Sequence, residues 1–140
     1  MFLLFLVTFW AVSAERDYSS CLTAICNQVT NCTQASCTNY PDGREGCGYF
    51  YLTQFQYKNC FTPQKESDDT EEQAWRRCAQ NYQCSAGCIE TITRKATNKC
   101  YGKSGCEAMS RVYYGGAGGC TNGRTRAFWE RVEKICDGKC

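Results

Sequence analysis

Cys21-Leu-Thr-Ala-Ile-Cys26-Asn-Gln-Val-Thr-Asn-Cys32, followed after a polar turn by Cys47-Gly-Tyr-Phe50, is the stretch that decides the fold of this chain. Leu22, Ile25, Cys26 and Val29 fall at i, i+3, i+4 and i+7, one stripe of an α-helix. Ser19 and Ser20 stand just ahead as candidate N-caps. The expected layout is a short amphipathic helix with a cysteine at each end and then an irregular turn. Gly48-Tyr-Phe-Tyr-Leu-Thr53, aromatic and β-branched, is expected to be a short strand.

Upstream, residues 2–12 are apolar apart from Thr8, and Val12-Ser-Ala14 has the form of a cleavage site. Residues 1–14 are therefore expected to be a secretory signal peptide, too short for a membrane span, and residues 15–140 one extracellular domain. All 14 cysteines lie in that second part, and an even count in a secreted chain points to a disulfide scaffold. The set is Cys21, Cys26, Cys32, Cys37, Cys47, Cys60, Cys78, Cys84, Cys88, Cys100, Cys106, Cys120, Cys136 and Cys140. No paired CxxC elements compete for a zinc ion, so neither a metal nor another cofactor is expected. A formal charge of +2 is too small to argue for nucleic acid or an anionic membrane as the main partner. The chain has no histidine, which excludes Ser-His-Asp, Cys-His and HExxH chemistry. Hydrolysis here would have to rest on carboxylates or a lysine-activated nucleophile.

Downstream, Tyr40-Pro-Asp-Gly43 is a turn in which Pro fixes φ and Asp and Gly suit the following positions. Residues 61–70 read as a polar surface loop, and Thr70-Glu-Glu-Gln73 as a capping box that opens a helix carrying Trp75, Cys78 and Ala79. Further helices are expected over about residues 85–99 and 107–113. Gly115-Gly-Ala-Gly-Gly119 is too glycine-dense to continue any element. A last helix is expected with Thr125 as its cap and Phe128, Trp129, Val132 and Ile135 as its apolar stripe. The sum is an α+β, mostly helical, disulfide-rich single domain with a small β region near residues 40–53.

These residues resemble the invertebrate-type lysozymes, the family of leech destabilase. The family pattern C-L-x-C-I-C-x-x-E-S-G-C is matched by Cys21, Leu22, Ile25, Cys26 and Cys32, and C-G-Y-F-Q-I by Cys47, Gly48, Tyr49 and Phe50. Trp75, Cys78, Cys84, Cys88, Cys106, Phe128 and Trp129 keep the family order, and Arg111-Val-Tyr-Tyr-Gly-Gly-Ala-Gly-Gly-Cys120 is similar to R-x-H-N-G-G-P-x-G-C. The resemblance implies a lysozyme-like fold and action on bacterial cell-wall glycan or a related aminosugar polymer, in defence against bacteria or in digestion.

The same resemblance exposes departures. The family's general-acid glutamate falls on Val29, the following Ser-Gly on Thr30 and Asn31, and a cysteine on Ala24. The second carboxylate falls on Tyr40, with Asp42 the candidate to slide into its role. Retaining glycosidases need a raised-pKa acid and a second carboxylate about 5 Å away. Muramidase activity is therefore expected to be weak or lost, with glycan binding kept. The lysine and histidine associated with isopeptide cleavage fall on Thr53 and Tyr113. The remaining sugar-binding candidates are Tyr49, Tyr51, Tyr113, Tyr114, Gly115 and Gly116. Competing readings are an active lysozyme with Glu45 or Glu107 as a relocated acid, and a disulfide-rich interaction module that no longer binds sugar. Asn31-Cys-Thr33 is an N-glycosylation sequon beside the acid position.

Overall fold

The computed structural model describes residues 18–140, so the expected signal peptide lies outside the described residues. Six helices and a three-stranded sheet follow in the order α1 (Ser19–Thr30), β1 (Thr38–Asn39), β2 (Glu45–Cys47), β3 (Leu52–Thr53), α2 (Gln54–Asn59), α3 (Glu71–Ala79), α4 (Tyr82–Ala96), α5 (Gly105–Gly115) and α6 (Arg124–Cys136). The mostly helical α+β expectation holds. Among the described residues no helix is long and apolar enough to cross a membrane.

The opening helix buries the expected stripe: Ile25 and Cys26 are fully inaccessible and Leu22 nearly so, while Val29 is half-buried against the same core. Neither Ser19 nor Ser20 is the N-cap, because both are already helical and Tyr18 takes that place without a side-chain cap. Helix α1 packs on α5 and α6, and the core continues through Phe50, Leu52, Tyr57, Trp75, Ile89, Met109, Phe128 and Val132. All fourteen cysteines are paired. Cys21–Cys106 clamps α1 to α5, Cys60–Cys88 ties α2 to α4, and Cys100–Cys120 holds the segment after α5. Ala24, where the family pattern has cysteine, shares the wall of a shallow depression with Cys136 and Cys140, which pair with each other.

Several local expectations are corrected. Residues 48–53 are not one strand: Gly48–Phe50 form a 3₁₀ turn, Tyr51 is left-handed (φ 44°), and only Leu52–Thr53 pair in the sheet. Thr53 then caps α2 through a capping box with Gln56, a helix not anticipated from the sequence. Helix α4 starts at Tyr82, because Asn81 accepts a hydrogen bond from Cys84 N at 2.8 Å. Residues 116–121 continue as a 3₁₀ helix despite their glycines. Thr125 does not cap α6 (Gly123 takes that position); it is fully buried, its hydroxyl accepting from Arg111 Nε at 2.9 Å and reaching the carbonyls of Gly119 and Asn122. Ile135 leaves the apolar stripe and is 42% exposed. The capping box at Thr70–Gln73 is as expected.

The sheet is antiparallel in the order β1-β2-β3, with Thr38 opposite Gly46 and Cys47 opposite Leu52. It meets the helices at Gly48, whose φ of +71° suits glycine, and where an added Cβ would stand 1.8 Å from the Ala79 carbonyl oxygen at the end of α3. Gly48→Ala therefore combines a left-handed alanine with a backbone collision. We expect a loss of at least about 2–3 kcal/mol, read as a lowered thermal midpoint of the oxidised protein.

Candidate functional site

The C-terminal end of α1, the β-hairpin and the C-terminal half of α5 meet around the Tyr49–Tyr51 backbone. Thr30, in the last turn of α1, donates from its hydroxyl to the Tyr49 carbonyl at 2.7 Å and so fixes the 3₁₀ turn against the helix end. Asn31 follows in the left-handed conformation (φ 58°) and is exposed. Val29 has no proton to donate; its side chain packs on the core.

Tyrosines occupy the ground beside it. Tyr113, on α5, donates to the Phe50 carbonyl at 2.6 Å, and Tyr40 donates to the neighbouring Tyr51 carbonyl at 3.2 Å. Desolvation holds the Tyr113 phenol well above its ordinary pKa, with the nearby phenols of Tyr40 and Tyr51 adding to the effect. Tyr40 is also raised, chiefly by burial and against the pull of Arg44. Both phenols are thus neutral at physiological pH, and their protons are already given to backbone carbonyls. They line the site without supplying an acid or a base.

Each candidate carboxylate is engaged by an arginine. Asp42 accepts from the backbone N and the Nε of Arg44 at 3.0 and 2.7 Å, and the Arg44 side-chain hydrogen bond leads in lowering its pKa. That direction suits an ionised carboxylate and opposes a general acid. Glu45 forms a two-oxygen contact with Arg76, which also holds Glu72. Glu107 lies 3.0 Å from the buried Arg111 and 3.9 Å from Lys103. Arg111 in turn holds Thr125 and the Asn122 carbonyl, so this chain of contacts braces the glycine segment. Gly119 packs there so closely that an added Cβ would stand 2.0 Å from the Arg111 carbonyl oxygen.

Of the aromatic candidates, Tyr51 and Tyr113 converge, with Tyr40 beside them. Tyr49 departs toward α4 and packs edge-on against Tyr82, rings 5.6 Å apart at 88°. Tyr114 lies on the outer side, 54% exposed, with one face stacked on buried Phe128 at 4.8 Å and 12°. Phe128 also packs on Tyr113 at 5.7 Å. Tyr114 is therefore a rigidly backed aromatic plate with its other face open, and Gly115 and Gly116 beside it are exposed and add no side chain to shield it. A flat apolar face with a hydroxyl at its edge is what a sugar's C–H surface packs on. Sequence reasoning missed Phe128 as the backing ring, because nothing local links positions 114 and 128. Thr53, where an isopeptidase lysine would fall, is buried and occupied as the α2 cap.

Among the described residues, three clusters have the spacing of metal ligands. In Cys21/Cys106/Cys140 and Cys37/Glu45/Cys47 the thiols are consumed in disulfides. In exposed Glu66/Asp68/Asp69, Asp69 is already held by Arg77.

The raised phenols set an alkaline limit. Folded-state pKa values above the unfolded value of about 10 stabilise the protein fully below that pH, and the contribution is lost as pH rises from there through the folded values. Melting temperature should hold to about pH 10 and then fall steeply, with Tyr113→Phe softening the fall. The same variant should cost about 1 kcal/mol at neutral pH, from the lost hydrogen bond to Phe50. Thermal melts across pH check both.

The fold and the motif order find direct counterparts among known proteins. The Destabilase family profile matches residues 18–136. Invertebrate-type lysozyme 3 of Caenorhabditis elegans is 32% identical over 132 residues, covering 93% of this chain and 94% of that protein. A lysozyme of Ostrea edulis is 31% identical over 116 residues, 81% of this chain and 77% of the other. The crystal structure of Tapes japonica lysozyme superposes with a TM-score of 0.72 at 28% identity, covering 86% of this chain and 93% of that one. Meretrix lusoria lysozyme in complex with the Aeromonas hydrophila protein PliI superposes with a TM-score of 0.70 at 26% identity, covering 84% and 88%.

Proposed function

This chain belongs to the Destabilase family, the invertebrate-type lysozymes, and from that premise we propose that it is a secreted glycan-binding member whose muramidase chemistry is weak or lost. The observation that carries the reading is Val29 at the position of the general acid, half-buried against the core with no ionisable group. The relatives are named lysozymes, and peptidoglycan is the ligand that this kinship favours. Secretion is supported by a scaffold of seven disulfides and by the apolar leader-like stretch before residue 15.

The chemistry follows from the side chains. Cleavage of a β-1,4 glycosidic bond needs a proton delivered to the leaving oxygen while a carboxylate faces the anomeric carbon. Val29 delivers none. Tyr40 stands at the second carboxylate position and donates to a backbone carbonyl. Asp42 is ionised but turned onto Arg44 in the Pro-Asp-Gly turn. Glu45 and Glu107, the candidates for a relocated acid, are both paired with arginine, Arg76 and Arg111, so their oxygens are already engaged. What remains is recognition: the outer face of Tyr114, with the tyrosine-lined surface beside it, is suited to stacking on an aminosugar ring. The protein would act in bacterial defence or digestion by holding wall fragments rather than cutting them.

Muropeptide release by the wild type should stay at background between about pH 4 and 8, since general acid catalysis is typically worth about 10²–10⁴-fold. Val29→Glu should restore at most a fraction of a normal rate, with no further loss from Asp42→Ala if Asp42 is only a turn residue. Robust wild-type turnover abolished by changing Glu45 or Glu107 would instead establish a relocated acid. Tyr114→Ala should weaken retention on insoluble peptidoglycan or chitin by about 1 kcal/mol while the melting temperature stays near that of the wild type. Unchanged retention would move the site elsewhere, and no retention by the wild type would leave an interaction module without sugar binding.

A further inference from the structure

Away from the tyrosine site, the loop after α2 places a large apolar side chain in water under conformational strain. Phe61 has φ 66°, Thr62 φ 47° and Gln64 φ 60°, three non-glycine residues in the left-handed region within four positions. For a bulky side chain this conformation is unfavourable and needs the surroundings to impose it. The surroundings do so. Cys60, adjacent to Phe61, is bridged to Cys88 of α4. Thr62 N donates to the Tyr57 carbonyl at 3.2 Å, the Tyr57 hydroxyl donates to the Pro63 carbonyl at 2.9 Å, and Arg77 Nη2 donates to the Gln64 carbonyl at 3.1 Å. Held in this way, Phe61 is 73% exposed.

Phe61 is not alone. Lys95 of α4 sets its ammonium 3.8 Å from the Phe61 ring centre and donates to the Asn59 carbonyl at 3.0 Å. Asn59 and Lys58 stand four and three residues after Phe55 on α2, so they share its face, and Phe55 is 64% exposed. Phe55 and Lys58 on α2 thus stand exposed next to the Phe61–Lys95 pair, joined to it through the Asn59 carbonyl that Lys95 holds. Neither lysine takes part in any ion pair among the described residues, whereas Arg76, Arg77 and Arg94 on the neighbouring helices all do.

We propose that this patch is a contact surface for an anionic phospholipid bilayer. The two rings protrude, which suits a flat, yielding surface better than a peptide that would need a groove to lie in. Phenylalanines at the headgroup boundary bury apolar area, while lysine stems lie along it and carry their charge to the phosphates. The formal charge of only +2 is no obstacle, because attraction of this kind acts within about a Debye length and depends on the local pair of cations. Two rings and two charges make the contact weak, reversible and sensitive to salt. It would hold the protein at a bacterial membrane, independently of any sugar bound at Tyr114.

The test is sedimentation of the oxidised protein with vesicles of phosphatidylcholine alone and of phosphatidylcholine mixed with phosphatidylglycerol, at low and high salt. The wild type should partition onto the mixed vesicles and release from them at high salt. Lys58→Ala with Lys95→Ala should lower that partition about tenfold or more, and Phe55→Ala with Phe61→Ala at least about fivefold. Phe61→Gly separates display from packing: it should lose binding while its melting temperature equals or exceeds that of the wild type, since glycine relieves the left-handed strain. The proposal is overturned if the wild type shows no preference for the anionic vesicles, if the paired variants bind as well as the wild type, or if Phe61→Gly melts earlier. A polyglutamate peptide that binds in a Phe61-dependent way while vesicles do not would make the surface a peptide site, and the proposal would fail.

Discussion

The bridge between Cys21 and Cys106 spans 85 residues and is the constraint on which the rest of the arrangement hangs. In the chain-entropy picture a closure of that length is worth about 4–5 kcal/mol, a large share of the stability of a small domain. It fixes α1 against α5 before any hydrophobic contact is counted. Once α1 is held there, its buried face meets Met109, Phe128 and Val132, and the end of the helix points at the hairpin. With a mean hydropathy of −0.51 over the whole chain, apolar burial alone would be a thin basis for the fold. Covalent closure supplies what the core cannot.

The same geometry accommodates a valine at position 29, in the last turn of α1. A glutamate at the end of α1 would have to be sheltered from water for its pKa to rise, so the pocket that receives it is apolar by requirement. Val29 packs half-buried against the core there. Replacing a charged, strained group with an apolar one at an active site commonly favours stability over activity. The tyrosines continue the trend: Tyr113 and Tyr40 each satisfy a carbonyl of the Phe50–Tyr51 segment and remain neutral. These two phenols thereby brace the hairpin, while Tyr114, partly open to solvent, is stacked on Phe128.

The two exposed aromatic surfaces are built by opposite means. Tyr114 lies flat on a neighbouring ring with one face covered, which suits a ligand that is itself flat and offers hydroxyls along its edge. Phe61 stands out from a left-handed loop with only a lysine above it, which suits a surface into which it can insert. A disulfide at Cys60 and backbone hydrogen bonds keep Phe61 in place, whereas Tyr114 rests on the core through Phe128.

The sequence by itself determined the covalent and periodic features of this protein. An even set of cysteines required an oxidised scaffold, the i, i+3, i+4, i+7 stripe required the first helix, and Thr70-x-x-Gln73 required the start of α3. The absence of histidine excluded every mechanism that needs an imidazole, because a residue type missing from the chain is missing in any fold. Tertiary structure decided everything that depends on contacts distant in the chain. Gly48–Phe50 turn as 3₁₀ instead of extending because Thr30 and the Ala79 carbonyl approach from elsewhere. Thr125 is buried instead of capping α6 because Arg111 reaches it across a turn. Tyr113 meets a carbonyl 63 positions away, and Phe128 backs Tyr114 from another helix. Local pattern carries the torsional preference of each segment; which surface each side chain meets is set by closing loops of tens of residues, and that information is spread over the whole chain.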